Sequence, residues 1–413
     1  MRILYIHQHF STPNGATGTR SYELSQMLIN NGHEVTLICG ANSRSGVKLD
    51  QSYSTNNGYK RGVVDGIDLI ELNYPYSNKQ SFVERSITFM RFALKSTRFV
   101  FTEPYDLVFT TYTPLTVGIP GIVMKRLKNK PFVFEVRDLW PELPREMGVI
   151  SNPAILKMIG ALEWASYRSA DQCIGLAPGM VKGIARRGVD EKNIAMIPNG
   201  CDVDLFKPRD VCRSAIPGIE EHDRVAIFTG AHGIANGLDA VLDAASVLKD
   251  MDRTDIKLVF VGDGNQKQRL RTRAEKENLS NCLFLDPIPK IELASMLNAA
   301  AVGYMILDNV PAFYYGTSPN KFFDYIASGL PVLNNYPGWL ADLITKHDCG
   351  EAVPPEDPEA FARALIKMVD DPEHLKEQGA NARDLAETHF NRKLLGQQFV
   401  SFLEKAYHGQ EAI

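Results

Sequence analysis

Ser318-Pro-Asn-Lys-Phe-Phe-Asp-Tyr-Ile-Ala-Ser-Gly-Leu-Pro-Val332 is the stretch on which the reading of this chain turns. Pro319 suits a helix start, and Phe322, Phe323, Tyr325, Ile326 and Ala327 continue an apolar helix that Gly329 ends. Leu330-Pro-Val-Leu333 then opens a buried strand, so the segment is one helix–strand unit of an α/β sheet. Lys321 and Asp324, three residues apart, share a helix face. A cation in the first turn works against the helix dipole unless an anion sits there too. Lys321 therefore points to a phosphate, and Asp324 suits sugar hydroxyls. The alternative is a solvated Lys–Asp pair on an ordinary helix.

Working outward, strand and helix patterns alternate along the whole chain. Ile3–Ile6, Glu34–Cys39, Asp106–Thr111, Pro131–Val136, Asp171–Leu176 and Ile194–Ile197 read as strands, with a helix over Thr19–Asn31. The pattern restarts with strands at Val225–Thr229, Ile256–Val261, Cys282–Leu285, Gly303–Ile306 and Pro331–Leu333. Helices are expected over Leu238–Met251 and Gln266–Asn278. This is α/β architecture: two Rossmann-like, doubly wound parallel sheets whose strand C-termini face a cleft. Pro198-Asn-Gly-Cys-Asp-Val-Asp-Leu-Phe-Lys-Pro208 reads as the turn between them. The expected divisions are 1–200, 201–390 and a last helix, 391–413, packed back on the first domain.

At 413 residues the chain is too long for one core. Its 44% hydrophobic and 23% charged content is that of a globular protein, and no apolar run approaches the ~20 residues that span a bilayer. Met1–His7 is too briefly apolar for a signal peptide and reads as a first strand. Six scattered cysteines without Cys-x-x-Cys argue against a zinc site or disulfide framework and fit a reducing cytoplasm. The net charge of −4 conceals an asymmetry: residues 1–200 carry 23 Lys and Arg against 17 Asp and Glu, and residues 201–413 carry 22 against 32. A net of +6 on the first half suggests contact with an anionic surface; the alternative is drift between two domains.

Three glycine-containing turns follow strands. Pro13-Asn-Gly-Ala-Thr-Gly-Thr-Arg20 allows close backbone approach, with amides at Gly18 and Thr19 and a guanidinium at Arg20 suited to a diphosphate. Thr229-Gly-Ala-His-Gly-Ile-Ala-Asn-Gly237 is an anion-cradle candidate containing Gly230, His232 and Gly233, though His232 is equally well structural. Val261-Gly-Asp-Gly264 contributes Gly262 and Asp263. None matches a dinucleotide fingerprint or a P-loop. Asp138, in Phe134-Glu-Val-Arg-Asp-Leu-Trp-Pro-Glu142, is expected at a strand mouth to contact or deprotonate an acceptor hydroxyl; pairing with Arg137 is the alternative. His7 and His9 are further cleft candidates, with core or surface roles as the alternative, and His9 and Glu142 are the candidates for acceptor contact. The Asp-x-Asp pairs at Asp202/Asp204 and Asp250/Asp252 are near chance in so acidic a half, and no metal is expected.

Phe82–Phe101 is helical in pattern, with Arg91, Lys95 and Arg98 on one face among Phe82, Phe89, Phe92, Phe99 and Phe101. With Lys125-Arg-Leu-Lys-Asn-Lys130 it suits an anionic membrane surface, or else is a core helix with a basic outer face. The acidic chain argues against nucleic acid.

Gly32-His-Glu-Val35, Ile197-Pro-Asn-Gly-Cys-Asp202 with Phe206, Val261–Gly264 and Ser318–Val332 together resemble the family 4 glycosyltransferases, over essentially the whole chain. Asp138-Leu-Trp-Pro-Glu142 and the Gly18-Thr-Arg20 turn look like a branch serving O-antigen, capsule and colanic-acid assembly, including N-acetylfucosaminyl transferases. The resemblance implies the GT-B fold and retaining transfer, without a metal or other cofactor, from a UDP-sugar. The donor sugar would be of an N-acetylated amino or deoxyamino kind. The acceptor would be an undecaprenyl-diphosphate-linked saccharide at the inner face of the plasma membrane. It further implies that Lys321 and the Gly230–Gly233 turn hold the diphosphate, with Ser318 at the same site. Asp324 would take the ribose, backbone near Ile288 the base, and Arg20 with Gly18 would close over the phosphates. Two departures stand out: Gly316 where the family often has Glu, and no Arg or Lys in the second domain's phosphate loop. A UDP-sugar 2-epimerase and a non-catalytic sugar-nucleotide-binding subunit are the competing expectations.

Overall fold

The computed structural model describes residues 1–15, 18–42, 45–49, 58–76 and 80–411. It divides into two compact units. One holds Met1–Pro198, Gly316–Ser318 and Lys393–Ile413; the other holds Asn199–Tyr315 and Pro319–Arg392.

The first unit runs β1 (Arg2–Ile6), α1 (Arg20–Asn30), β2 (Glu34–Gly40), β3 (Tyr59–Val64), β4 (Ile67–Leu72), α2 (Phe82–Thr102) and β5 (Leu107–Thr111). It continues α3 (Gly118–Lys128), β6 (Phe132–Val136), α4 (Glu142–Glu146), α5 (Pro153–Ser169), β7 (Gln172–Gly175), α6 (Pro178–Arg186) and β8 (Ile194–Met196). The eight strands lie in the order β3-β4-β2-β1-β5-β6-β7-β8. The central strands β5 and β6 are buried along their whole length, so Thr110 and Thr111 of β5 and Glu135 of β6 are enclosed with their apolar neighbours. Phe92, Phe99, Val108, Phe132, Phe134 and Tyr167 fill the core on one face.

The expectation of a parallel sheet needs one correction. β3 pairs antiparallel with β4, register Tyr59 to Leu72. The pair turns through Asp65 and Gly66 at φ 47° and 84°, an Asp-Gly hairpin turn that the backbone twist of antiparallel strands favours.

The second unit runs β9 (Arg224–Thr229), α7 (Asp239–Asp250), β10 (Ile256–Val261), α8 (Lys267–Lys276), β11 (Cys282–Leu285), α9 (Lys290–Ala299) and β12 (Val302–Met305). There follow α10 (Pro311–Gly316), α11 (Asn320–Ala327), β13 (Val332–Asn334), α12 (Trp339–Lys346), β14 (Gly350–Ala352), α13 (Pro358–Asp370) and α14 (Pro372–Thr388). The final helix, α15 (Arg392–Glu411), lies almost wholly in the first unit. The six parallel strands are ordered β11-β10-β9-β12-β13-β14 over a core of Phe228, Leu242, Leu258, Phe260, Tyr304 and Phe361.

Both sheets reverse direction beside their first strand, between β1 and β5 and between β9 and β12. Such switch points leave a crevice at the strand C-termini where ligands of doubly wound sheets bind. α15 is secured within the first unit by the Phe399 ring 5.0 Å from Phe109 and by a His33–Glu404 pair at 3.1 Å. Gly396 lets it lie close against Met27 of α1.

Candidate active site

In the second unit, the end of β9 and the start of α11 frame the candidate site. The Thr229 amide donates to the Tyr325 hydroxyl at 2.9 Å, tying α11 to the sheet. Lys321, one turn earlier, is carried over the switch point. Its Nζ lies 3.8 Å above the Phe228 ring centre and donates to Asn236 Oδ1 at 3.0 Å. Asn236 is itself oriented by donating from Nδ2 to the Ala231 carbonyl at 2.8 Å. Burial lowers the Lys321 pKa to about 7, with no carboxylate among the causes to hold it up.

The two glycine turns are locked together backbone to backbone. Gly230 N–H donates to the Val261 carbonyl at 2.9 Å, and His232 N–H to the Asp263 carbonyl at 3.0 Å. Gly262, at φ 155°, passes so close to Gly230 that any Cβ would overlap the Gly230 carbonyl oxygen. The His232 ring is fully buried near Phe228, Phe260 and Phe284, and among the described residues neither ring nitrogen has a hydrogen-bond partner. Burial first, then Lys267, lowers its pKa to about 4, so it is a neutral imidazole. Lys267 is committed to the Gly262 and Leu285 carbonyls and to Asp286.

The other expected donor residues are dispersed. Lys321 and Asp324 do not converge: the Asp324 carboxylate, 6% exposed, faces Lys290 Nζ at 3.7 Å. Burial raises its pKa against the pull of Lys290 and Arg392. Gly233 has open space around its Cα, and Ile288 sits half-buried in the turn after β11. Asp263 is exposed and accepts its neighbour Gly264's amide at 2.8 Å, while Ser318 is half-buried immediately before Pro319. A Cβ at Gly316 would meet nothing within 4 Å, so the missing Glu is a chemical change and not a steric one. A 630 Å³ groove lined by Arg213, Arg224, Ala301, Pro331 and Arg383 lies at the opposite, N-terminal ends of these strands.

In the first unit, the ends of β1, β5 and β6 bring His7, His9, Thr113, Arg137 and Asp138 to one crevice. Asp138 Oδ2 accepts from Thr113 Oγ1 at 3.3 Å. Burial lifts the Asp138 pKa to about 6, partly offset by Arg137 and Thr113. His7 is buried, with Nδ1 2.8 Å from Ser21 Oγ. The His9 ring meets Tyr76 edge-on at 4.6 Å and Phe89 at 6.2 Å. Burial and Arg137 keep both imidazoles neutral, with His9 near pKa 4.

One expectation for this unit changes. Arg20 does not present a guanidinium for a diphosphate. Its Nε and Nη2 bond Glu135, at 3.0 and 2.7 Å, and its Nη groups bond the Ile197 and Pro198 carbonyls, each at 2.8 Å. Glu135 is wholly buried in β6 and requires that cation. Glu142 sits 3.7 Å from Arg187, which pairs more closely with Glu163 at 2.5 Å. Gly18 is exposed and Thr19 buried ahead of α1; Ala16 and Thr17 of the same turn lie outside the described residues. Asp202 takes the Leu205 amide and Arg392, each at 3.0 Å, and among the described residues no three His, Cys, Asp or Glu gather as a metal site.

The family model "Glycosyl transferase 4-like domain" matches residues 15–200, and "Glycosyl transferases group 1" matches residues 213–385. The chain belongs to the family 4 glycosyltransferases of the GT-B fold. It is 21% identical to an Escherichia coli (strain K12) protein named as the colanic acid biosynthesis glycosyl transferase WcaI, over 97% of this chain and 99% of that one. It is 25% identical to WcaL of the same strain, named likewise, over 58% of this chain and little more than half (57%) of that relative. Anabaena HepE, solved with UDP-glucose, superposes with a TM-score of 0.70 at 16% identity, covering 98% of this chain and all of that one. The family pattern locates Lys321 and the glycine turns. It gives no signal for Phe228, Thr113 or Lys290, whose proximity comes from strand order alone.

Arg20→Ala is expected to leave Glu135 buried and unpaired, costing about 3–5 kcal/mol in urea unfolding. A loss below about 1 kcal/mol would return Arg20 to the ligand-binding candidates.

Proposed function

We propose that this protein transfers a sugar, with retention, from a UDP-sugar held by the second unit to a lipid-diphosphate-linked saccharide held by the first. The reaction would serve assembly of a bacterial surface polysaccharide of the O-antigen or capsule type, at the inner membrane face. One observation carries the reading: Lys321 is a desolvated cation at a helix N-terminus with an amide oxygen and an aromatic face as its neighbours. A diphosphate would satisfy it better than either. Family membership supports the reaction type. The colanic-acid names of two relatives support the polymer class, and UDP-glucose in HepE supports the nucleotide.

In this reading the bond from the sugar's anomeric carbon to the diphosphate oxygen breaks. The acceptor hydroxyl bonds that carbon from the same face, and its proton passes to the departing diphosphate. Lys321 stabilises the charge gathering on that diphosphate. The backbone at Gly230 and Gly233 lies beside it, and the neutral His232 supplies one ring N–H as a donor. Asp138 accepts a hydrogen bond from the acceptor hydroxyl and orients it. His9 and Glu142 flank the acceptor, Asp324 the ribose, and Ile288 the base. No metal is invoked.

Transfer from UDP-sugar to a lipid-linked acceptor, followed by chromatography of the glycolipid, is expected to proceed unchanged in EDTA. UDP-sugar binding without any transfer would sink the enzyme reading, and strict metal dependence the metal-free mechanism.

Lys321→Ala should lower kcat/KM by about 10²–10³-fold. The pH dependence has a definite sign. Lys321 is protonated below about pH 7 in the free protein. The diphosphodiester of a UDP-sugar stays dianionic across this range, so affinity should fall as pH rises from 7 to 9, approaching tenfold per unit. Calorimetry in buffers of different ionisation heat should show proton uptake on binding; a flat profile removes Lys321 from the phosphate.

Ionised Asp138 accepts the hydroxyl's hydrogen bond more strongly than the neutral acid does, so kcat/KM should fall as pH drops through about 6. Asp138→Asn should lower the rate and abolish that acidic limb; an unaltered limb assigns it to another group.

A further inference from the structure

The outer face of α2 is apolar in a way that the fold does not use. Val83, Ile87, Met90, Leu94 and Phe101 are 63, 47, 42, 60 and 49% exposed. At 3.6 residues per turn they fall within about 60° of one another and form a stripe about 27 Å long. No other helix of the described residues exposes as many large apolar side chains. The opposite face, with Phe92, Phe99 and Val100, is fully packed into the core, so the stripe is surplus to folding.

Arg91, Lys95 and Arg98 form a row directly alongside the stripe, with Arg91 and Arg98 exposed. Glu84 is the acid in that row, and it is tied back to the Ser81 amide at 2.8 Å in a capping box. A second basic group adjoins one end: Lys128 of α3 sits over the Phe101 ring at 5.5 Å. Beside it Leu127 is 70% exposed between Arg126 and Lys128. The side chain of Phe82, at the other end, lies outside the described residues.

An apolar stripe edged by cations matches the boundary of an anionic bilayer, where acyl chains take the stripe and headgroup phosphates the cations. No helix of the described residues is long and apolar enough to cross a membrane, so the helix would lie in the plane of the interface. A second copy of the chain fits less well, because two such faces would bring like-charged rows together without acids to answer them. We propose that α2, with the Leu127 end of α3, is an in-plane docking surface for anionic lipid. The proposal rests on the transferase reading only for its purpose, which is to bring a lipid-linked acceptor to the first unit.

The test is co-sedimentation of the whole chain with vesicles of phosphatidylcholine, with and without phosphatidylglycerol. Binding is expected only with phosphatidylglycerol. Ile87→Glu with Leu94→Glu should weaken it at least about tenfold, with melting temperature and UDP-sugar binding unchanged because both positions face solvent. Arg91→Ala and Arg98→Ala should each weaken it about fivefold and reduce its salt dependence. The surface is overturned if anionic vesicles fail to bind, or if the double variant binds them like the parent. It is equally overturned if light scattering shows that the double variant loses a dimer while lipid binding persists. Failure here with UDP-sugar binding intact leaves the transferase reading standing; loss of UDP-sugar affinity in the parent would fail that reading alone.

Discussion

The second unit is organised around the cost of removing one ammonium group from water. Lys321 is held over Phe228 by a helix that Tyr325 fastens to Thr229, and it finds an amide oxygen in place of a carboxylate. A cation over an aromatic face gains about 1–2 kcal/mol, less than an ion pair in the same low dielectric. The lowered pKa records that imbalance. Two interlocked glycine turns keep the surrounding backbone close to Lys321, since Gly262 leaves no space for any side chain against Gly230. The fold thus spends stability to keep a positive charge poised at a helix N-terminus.

Arg20 shows the opposite solution to the same problem. It too stands in the first turn of a helix, and its sequence context suggested the same phosphate role. Its charge is instead balanced inside the protein by Glu135, which is 115 positions away and invisible to any local pattern. What separates a cation facing an amide oxygen from one paired with a carboxylate is the neighbour that tertiary packing supplies. Asp324, three residues from Lys321 on the same helix, faces Lys290, a neighbour that local sequence does not show.

Much of the architecture could be read directly. Strands such as Val225–Thr229 and Ile256–Val261 are almost entirely apolar because both of their faces are largely buried, and their observed limits differ by a residue at most. The β3–β4 hairpin went unread because Tyr59-Lys-Arg-Gly-Val-Val64 is a half-exposed edge strand with little apolar signal, although Asp65-Gly66 marked its turn. The basic face of α2 was visible from spacing. The exposure of the apolar stripe beside it was not, because an amphipathic pattern does not say which of two apolar faces meets the core.

By itself, then, the sequence determined the alternation of elements, the two sheets, the family and the position of Lys321. These follow from periodicity and glycine placement, which act over a few residues. Only the tertiary structure decided that Lys321 lacks a carboxylate among the described residues while Arg20 has one, that His7 and His9 are neutral, and that Asp138 titrates near pH 6. Those are properties of charge in a low-dielectric interior. They depend on which strands lie side by side, and strand order brings together residues that are more than a hundred positions apart.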